Sequence, residues 1–410
     1  MTDTLDRLSG QRERVIRARC GRAATTGFAL LVVGSNIPAP ILPIYRDELQ
    51  LSTFTVTALF AVYLFALVGT FTTVATSSLT RWAPRVLPVS LGVGMLGDLA
   101  FLAGHAQVVW LFVGRVLTGI AVGLGTGAAA TIAVATRGDR GRAIAATATL
   151  AGSFLGLVGA SAVVQLLPGP TITIYVIHLC LLATTMGIVV LALGSARAVL
   201  HAELRRTTTD STVDVVAPAI RESGRSGRGP AWRLRWAGYG LGIAGWAIGG
   251  IVVGVLPTLV ADEWDSPSVM MTMLAPIVVL GVACLSPYVF RTMHPGLAVA
   301  VIGSAAVLCV VGVWLANLPT ILACCAIWGV GQGFAYATGL RIVTAGLSPV
   351  DQGRVASRYA SICYGFTGLL SLCTGAAATA WGPLPSMFLM AGVFVTLSVS
   401  VSVLGHRRWP

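Results

Sequence analysis

The sequence predicts an all-α integral membrane protein of twelve transmembrane helices, and three observations carry that prediction. Of the 410 residues, 56% are hydrophobic and 10% charged, where a soluble domain carries about 25% charged residues. Apolar runs of about 20 residues, each long enough to cross about 30 Å of hydrocarbon as a helix, recur from Ala24 almost to the C-terminus. The runs lack the strict alternation of a barrel strand, and in lipid only helices and closed barrels satisfy every backbone hydrogen bond.

The predicted spans cover 24–45, 54–79, 86–104, 108–135, 143–167, 172–194, 236–260, 269–290, 296–316, 320–347, 355–381 and 385–404. Six fall on each side of a polar segment, 195–235, that is rich in arginine, serine and threonine and too polar to bury a core. The chain therefore divides into an N-terminal tail (1–23), a six-helix bundle (24–194), a linker (195–235), a second six-helix bundle (236–404) and a short tail (405–410). No cleavable signal adjoins the first apolar run, which reads as a retained span.

The net charge of +12 would point to nucleic acid in a soluble protein, but here its placement decides. All 27 basic residues are arginines. Nearly all sit in tails and turns that face one side if the first span runs outward, while Arg46 faces out and Arg115 and Arg341 lie inside spans. By the positive-inside rule this puts both termini and the linker in the cytoplasm of a cell-membrane protein, with no nucleic-acid partner. Seven of the eight cysteines fall in apolar runs, which indicates neither disulfides nor a metal site.

One constant offset aligns Gly119 with Gly331, Thr126-Gly127 with Thr338-Gly339, Asp139 with Asp351, Gly141-Arg142 with Gly353-Arg354 and Gly156 with Gly368. The shared Asp-x-Gly-Arg turn points to two homologous halves, a plan in which substrate binds between the repeats. A nearby offset pairs Leu42-Pro43 with Leu256-Pro257.

Six plus six spans, a basic central loop and charged turns after spans 2, 4, 8 and 10 resemble the major facilitator superfamily over essentially the whole chain. The stretch from Asn36 through Pro38, Pro40 and Pro43 to Tyr45 resembles its multidrug-efflux-like, drug:proton antiporter members from actinobacteria. The resemblance implies an MFS fold with pseudo-twofold symmetry and a cavity lined by spans 1, 4, 7 and 10. Asn36, Arg115, Trp246, Trp328, Gln332 and Tyr336 then become substrate-cavity candidates. The Leu111, Arg115, Gly119 spacing resembles the span 4 motif whose arginine is implicated in proton coupling. The turn between spans 2 and 3 departs from the family pattern, with Arg81 and Arg85 present and its aspartate absent. Span 5 keeps Gly152 and Gly156 of the antiporter pattern but has Leu157 where that pattern has proline.

The residues themselves point to the same places. A charged side chain inside a span is costly and marks a pathway or relay. Asp98 is the one acid inside a predicted span, about 18 Å from the inner boundary at 1.5 Å per residue, and Arg115 sits at a similar height on the next span. The expectation is an Asp98–Arg115 salt bridge that protonation would break. A fixed structural pair is the alternative. His178 can titrate near neutral pH or simply pack. Arg341 is expected to snorkel or to pair with Asp351. Pro38 and Pro43 remove amide donors and bend the first span, and Pro257 does the same in the seventh. Asp139, Arg142, Asp351 and Arg354 are the gating residues of the two charged turns.

No zinc motif, nucleotide-binding glycine loop or acid cluster supports an enzyme or an ATP-driven pump. The expected function is secondary transport by alternating access, without a cofactor, powered by a proton gradient and carried out by a monomer. The expected substrate is a small hydrophobic or cationic compound moving outward. The alternatives are proton-coupled uptake of a nutrient and, further off, a membrane receptor or enzyme.

Overall fold

The computed structural model describes residues 2–51, 53–77, 79–104, 107–196, 200, 231–254, 256, 268–289, 293–347 and 349–405. The chain forms α1 (Thr2–Asn36), α2 (Pro38–Glu48), α3 (Thr53–Thr76), α4 (Ala83–Ala103), α5 (Val108–Arg137), α6 (Asp139–Leu166) and α7 (Pro170–Ser195). The second half comprises α8 (Ala231–Gly254), α9 (Val269–Thr272), α10 (Leu274–Val289), α11 (Pro295–Trp314), α12 (Leu318–Thr344), α13 (Pro349–Trp381) and α14 (Pro383–Gly405). A helix covers each of the twelve apolar runs, and the described residues contain no strand. Nine helices among the described residues are long and apolar enough to cross a membrane, and Leu274–Ser286 is a shorter apolar helix.

Local sequence sets the breaks. The first span is two helices because Pro38 and Pro40 lack the amide hydrogens that the carbonyls of Gly34 and Asn36 would accept. Ile37 N still donates to Val33 O at 3.2 Å, so the axis bends without unravelling. Gly138 and Gly169 take φ of +56° and +57° in the turns that open α6 and α7, backbone that glycine enters without steric cost. Pro170 and Pro295 occupy first-turn positions, and Asn317 Oδ1 caps α12 by accepting from Thr320 N at 2.9 Å. α1 reaches back well into the expected tail, whereas 197–199 and 201–230 of the expected linker lie outside the described residues.

Outer faces match lipid. α7 turns Ile172, Val176, Leu181, Ile188 and Leu191 outward, an exposed apolar surface that water would not tolerate on a monomer. Exposed tryptophans sit near helix ends: Trp82, Trp232 and Trp236 at the arginine-bearing end, Trp110, Trp314 and Trp381 at the other. Such belts mark both membrane interfaces.

The glycine faces correct the repeat register inside the bundles. Gly119 and Gly123 of α5 lie against α3 at Tyr63, Leu67 and Thr70, and Gly329 and Gly333 of α12 lie against α10 at Val279 and Ala283. Gly331 faces α11 instead, at Ala298 and Ile302. In space, Gly119 therefore corresponds to Gly329 rather than to Gly331, and Gly123 to Gly333. A two-residue slip turns a helix by about 200°, to its opposite face.

One core joins the halves: Tyr63, Leu64, Leu67 and Phe71 cluster with Trp246, Leu280, Tyr336, Tyr359 and Tyr364. Toward the arginine-bearing end, α13 packs on α3 and α5. Thr72 Oγ1 lies 3.1 Å from Ser361 Oγ, and the Phe71 and Tyr364 rings are 5.5 Å apart. A Cβ added to Gly353 would lie 3.0 Å from Gly127 O, and one added to Gly127 would lie 2.7 Å from Ser357 Oγ. A bulky side chain at Gly353 would meet the facing backbone of α5, whereas at Gly127 it would first displace the side chains of Ser357 and Val74.

Candidate functional site

Between the halves lies a cavity of about 90 Å³, far below the 300–1,000 Å³ typical of small-molecule sites. That volume is too small for a drug-sized compound, so binding one requires the walls to move apart. One wall is Ser35, Asn36, Phe60, Tyr63, Arg115 and Ser153; the facing wall is Trp246, Leu280, Gln332, Tyr364 and Thr367.

Arg115 is the one charged residue of this lining. It is 3% exposed. One guanidinium nitrogen donates to Ser35 O at 3.3 Å, where the broken first span frees backbone acceptors, and the guanidinium carbon lies 5.5 Å from the Tyr63 ring centroid. Its Nε has no hydrogen-bond partner. A cation in hydrocarbon costs about 2.5–3.5 kcal/mol on insertion scales, and a carbonyl plus an aromatic face offset only part of that. Across the cavity, buried Gln332 Oε1 is also unpartnered. Each half therefore presents one unsatisfied polar atom to a site walled by aromatic rings.

The expected Asp98–Arg115 bridge is not the pairing found. Asp98 Oδ2 meets His178 Nδ1 at 2.7 Å, with both side chains buried. His178 Nε2 lies 3.0 Å from Leu30 O. α4 and α7 pack side by side behind α1, so Asp98 points away from the cavity and finds the imidazole. A Cβ on Gly34 would lie 2.5 Å from His178 Cε1, so glycine there makes room for the ring.

Of the other cavity candidates, Asn36 lines the wall and donates to Ser153 Oγ at 3.3 Å, and Trp246 lines the other side. Tyr336 stands one layer back, its ring 4.7 Å from Trp246 and 5.4 Å from Tyr359. Trp328 is wholly buried in the C-terminal core, edge-on to Phe394 at 5.3 Å. It lies one turn before Gln332 but is turned to the side of α12 that packs on α14, and it does not line the cavity.

The structural candidates fall at the helix ends and crossings. Gly152 and Gly156 let α6 rest on the α1 backbone at Ala29 and Val33. Pro38 opens α2 and Pro43 lies inside it. Arg85 stacks over Trp82 at 4.8 Å, and Arg81 is exposed beside it. Asp351 pairs with Arg354 at 3.4 Å, in place of the pairing expected with Arg341, which is exposed. The side chains of Asp139 and Arg142, and Pro257 altogether, lie outside the described residues. Among the described residues no group of His, Cys, Asp or Glu could hold a metal.

Tyr63, Ser153, Tyr364 and Thr367 are cavity residues that the sequence reading did not single out. Tyrosines and hydroxyls are frequent in spans, so only the rotational phase of α3, α6 and α13 distinguishes these.

A two-bundle, all-helical membrane fold with a small cavity at the seam fits a transporter of small molecules rather than an enzyme. The chain belongs to the Major Facilitator Superfamily, whose sequence profile matches residues 24–372. Among similar solved structures is the crystal structure of the human organic anion transporter MFSD10 (TETRAN). It aligns with a TM-score of 0.63 and 16% identity over 94% of this chain and 99% of that one. Comparison with curated proteins gives no match.

Proposed function

We propose that this transporter exports small, largely apolar aromatic compounds by alternating access, in exchange for protons, as a monomer in the cell membrane with its arginine-bearing end in the cytoplasm. The observation that carries the substrate class is the cavity lining: aromatic rings on both walls, no carboxylate, and the unpartnered Nε of Arg115. Cationic compounds, half of the sequence-based expectation, find no carboxylate among the lining residues and meet Arg115 instead. A neutral or acidic aromatic compound places a carbonyl or carboxylate on the guanidinium and a donor on Gln332 Oε1, and so bridges the halves. The arginine asymmetry supports the orientation. The buried ionisable groups of the N-terminal half support proton coupling.

The test is accumulation of aromatic carboxylates, their methyl esters and aromatic cations in cells with and without the protein. Export lowers accumulation of the acids or esters and leaves the cations unchanged. Raised accumulation would establish the uptake alternative, and selective loss of cations would overturn the substrate class. Flux in proteoliposomes that ignores an imposed pH gradient would remove proton coupling.

A further inference from the structure

The hydrogen-bond chain from Asp98 through His178 to Leu30 fixes its own proton count. Leu30 O is a carbonyl and accepts only, so His178 Nε2 must carry hydrogen for the 3.0 Å contact to be a bond. The other contact is 2.7 Å between Nδ1 and a carboxylate oxygen. A lone pair facing a carboxylate at that distance is repulsive, so a proton lies between them. It rests on Asp98 with a neutral imidazole, or on Nδ1 as an imidazolium beside an aspartate. Either way the dyad holds one proton more than an aspartate beside a neutral histidine.

Removing that proton leaves one N–H for two acceptors. If the hydrogen stays on Nε2, the imidazole keeps Leu30 and repels Asp98. If it moves to Nδ1, the imidazole keeps Asp98 and turns a lone pair on the Leu30 carbonyl. One bond must break, and because a charged carboxylate is a stronger acceptor than a neutral carbonyl, the remaining hydrogen goes to Asp98 and the bond to Leu30 O is lost. We propose that Asp98 and His178 form a site for a single proton, and that its departure loosens the attachment of α1 to α4 and α7 at Leu30. Five residues on, about 7.5 Å along the helix, the same α1 presents Ser35 to Arg115 and to the cavity. The proton thus acts on the cavity wall through helix position rather than by touching substrate. Within the proton-coupled reading, on which this coupling role rests, the dyad is where the coupling proton binds.

The neighbouring charges are few. Tyr175 on α7, one turn before His178, interacts electrostatically with both Asp98 and Arg115, and also with Tyr45 of α2. α5 contributes Arg115 and α3 contributes Tyr63 beside it. α1 from Ala23 to Asn36 carries no titratable side chain, α4 has none besides Asp98 above Arg85, and α6 has none beyond its first turn. Cys180, two residues after His178 on α7, is exposed, and among the described residues no acid or base other than Asp98 and His178 is hydrogen-bonded within the dyad.

The test counts protons on the purified protein in unbuffered detergent across a pH range from about 5 to 9, for wild type, Asp98→Asn, His178→Gln and the double variant. A lone buried acid or imidazole keeps its neutral form. Each single variant therefore takes up one proton fewer than wild type, and the double variant also one fewer. Equal uptake in all four, or two fewer in the double, overturns the proposal. Should Asp98→Asn fail to fold, His178→Gln carries the same count. Amide exchange in Phe28–Ser35, corrected for its intrinsic pH dependence, should rise at least threefold as wild type loses the proton. In Asp98→Asn it should stay flat, because the asparagine amide donates to Nδ1 and leaves Nε2–H on Leu30. A rise in both overturns the link to α1. Flux that ignores the gradient in wild type while the proton count holds would sink proton exchange and leave the site standing. Gradient-driven flux retained in Asp98→Asn would sink the coupling role alone.

Discussion

Asp98, His178 and Arg115 are buried inside the N-terminal bundle, whereas the buried polar side chains inside the described C-terminal bundle, such as Ser286, Gln332, Thr338, Thr367 and Ser398, are all neutral. Both bundles share the glycine-faced crossing of α5 on α3 and of α12 on α10. A common backbone plan has thus been filled with charge on one side and with rings and hydroxyls on the other. An ionisable group in lipid must be paired, and each pairing ties neighbouring helices together. In the proposed mechanism the first bundle is the half whose internal attachments would respond to protons, and the second is an aromatic wall against which it would move.

The largest effect expected from that division is at Arg115. Arg115→Ala removes the one charge of the cavity, and flux should fall about 100-fold, the scale for losing a buried hydrogen-bonded charge that meets a ligand. In the spatial register of the repeats Arg115 stands opposite Cys325, which is buried in the apolar C-terminal core. Cys325→Ala should change proteoliposome flux by less than about twofold, in line with a small core truncation. Comparable losses from both would mean the halves are not specialised.

Next comes the seam at the arginine-bearing end. Gly353→Leu places a side chain where Gly127 O and Thr131 already stand, so this end should stay open. Flux should drop about tenfold, an estimate from overpacking costs of about 1–3 kcal/mol. Maleimide labelling at Ser361→Cys should become faster in the same variant. Unchanged labelling would show that the glycine contact does not close this end.

The smallest effect is at Gln332. Its Oε1 is buried without a partner, and replacing an unsatisfied amide with an apolar side chain of like size recovers about 1 kcal/mol. Gln332→Met should raise the melting temperature by a few degrees and weaken binding of an aromatic acid about threefold. A lower melting temperature would mean that the amide has a structural role.

The spans were legible because the lipid requirement leaves its mark on every membrane-crossing run, and the break at Ile37 was legible because proline acts locally. Asp98's partner was not. His178 lies far along the chain on a helix whose rotation no hydropathy profile reports, while the equal heights of Asp98 and Arg115 pointed to the wrong neighbour. Arg115's place in the cavity was readable from the cost of its charge. Trp328 lies in the C-terminal core instead of the cavity because an aromatic in a cavity-lining span can face either way. Tyr63, Ser153, Tyr364 and Thr367 carried no distinguishing signal until the helices were placed around the seam.

Cross-linking at the seam tests movement of one half against the other most directly. Thr72 and Ser361 face each other across it with their hydroxyls 3.1 Å apart. In a cysteine-free background, Thr72→Cys with Ser361→Cys should form a disulfide under mild oxidation, flux should stop, and reduction should restore it. Undiminished flux through the cross-linked protein would mean that substrate crosses without the halves parting at that end.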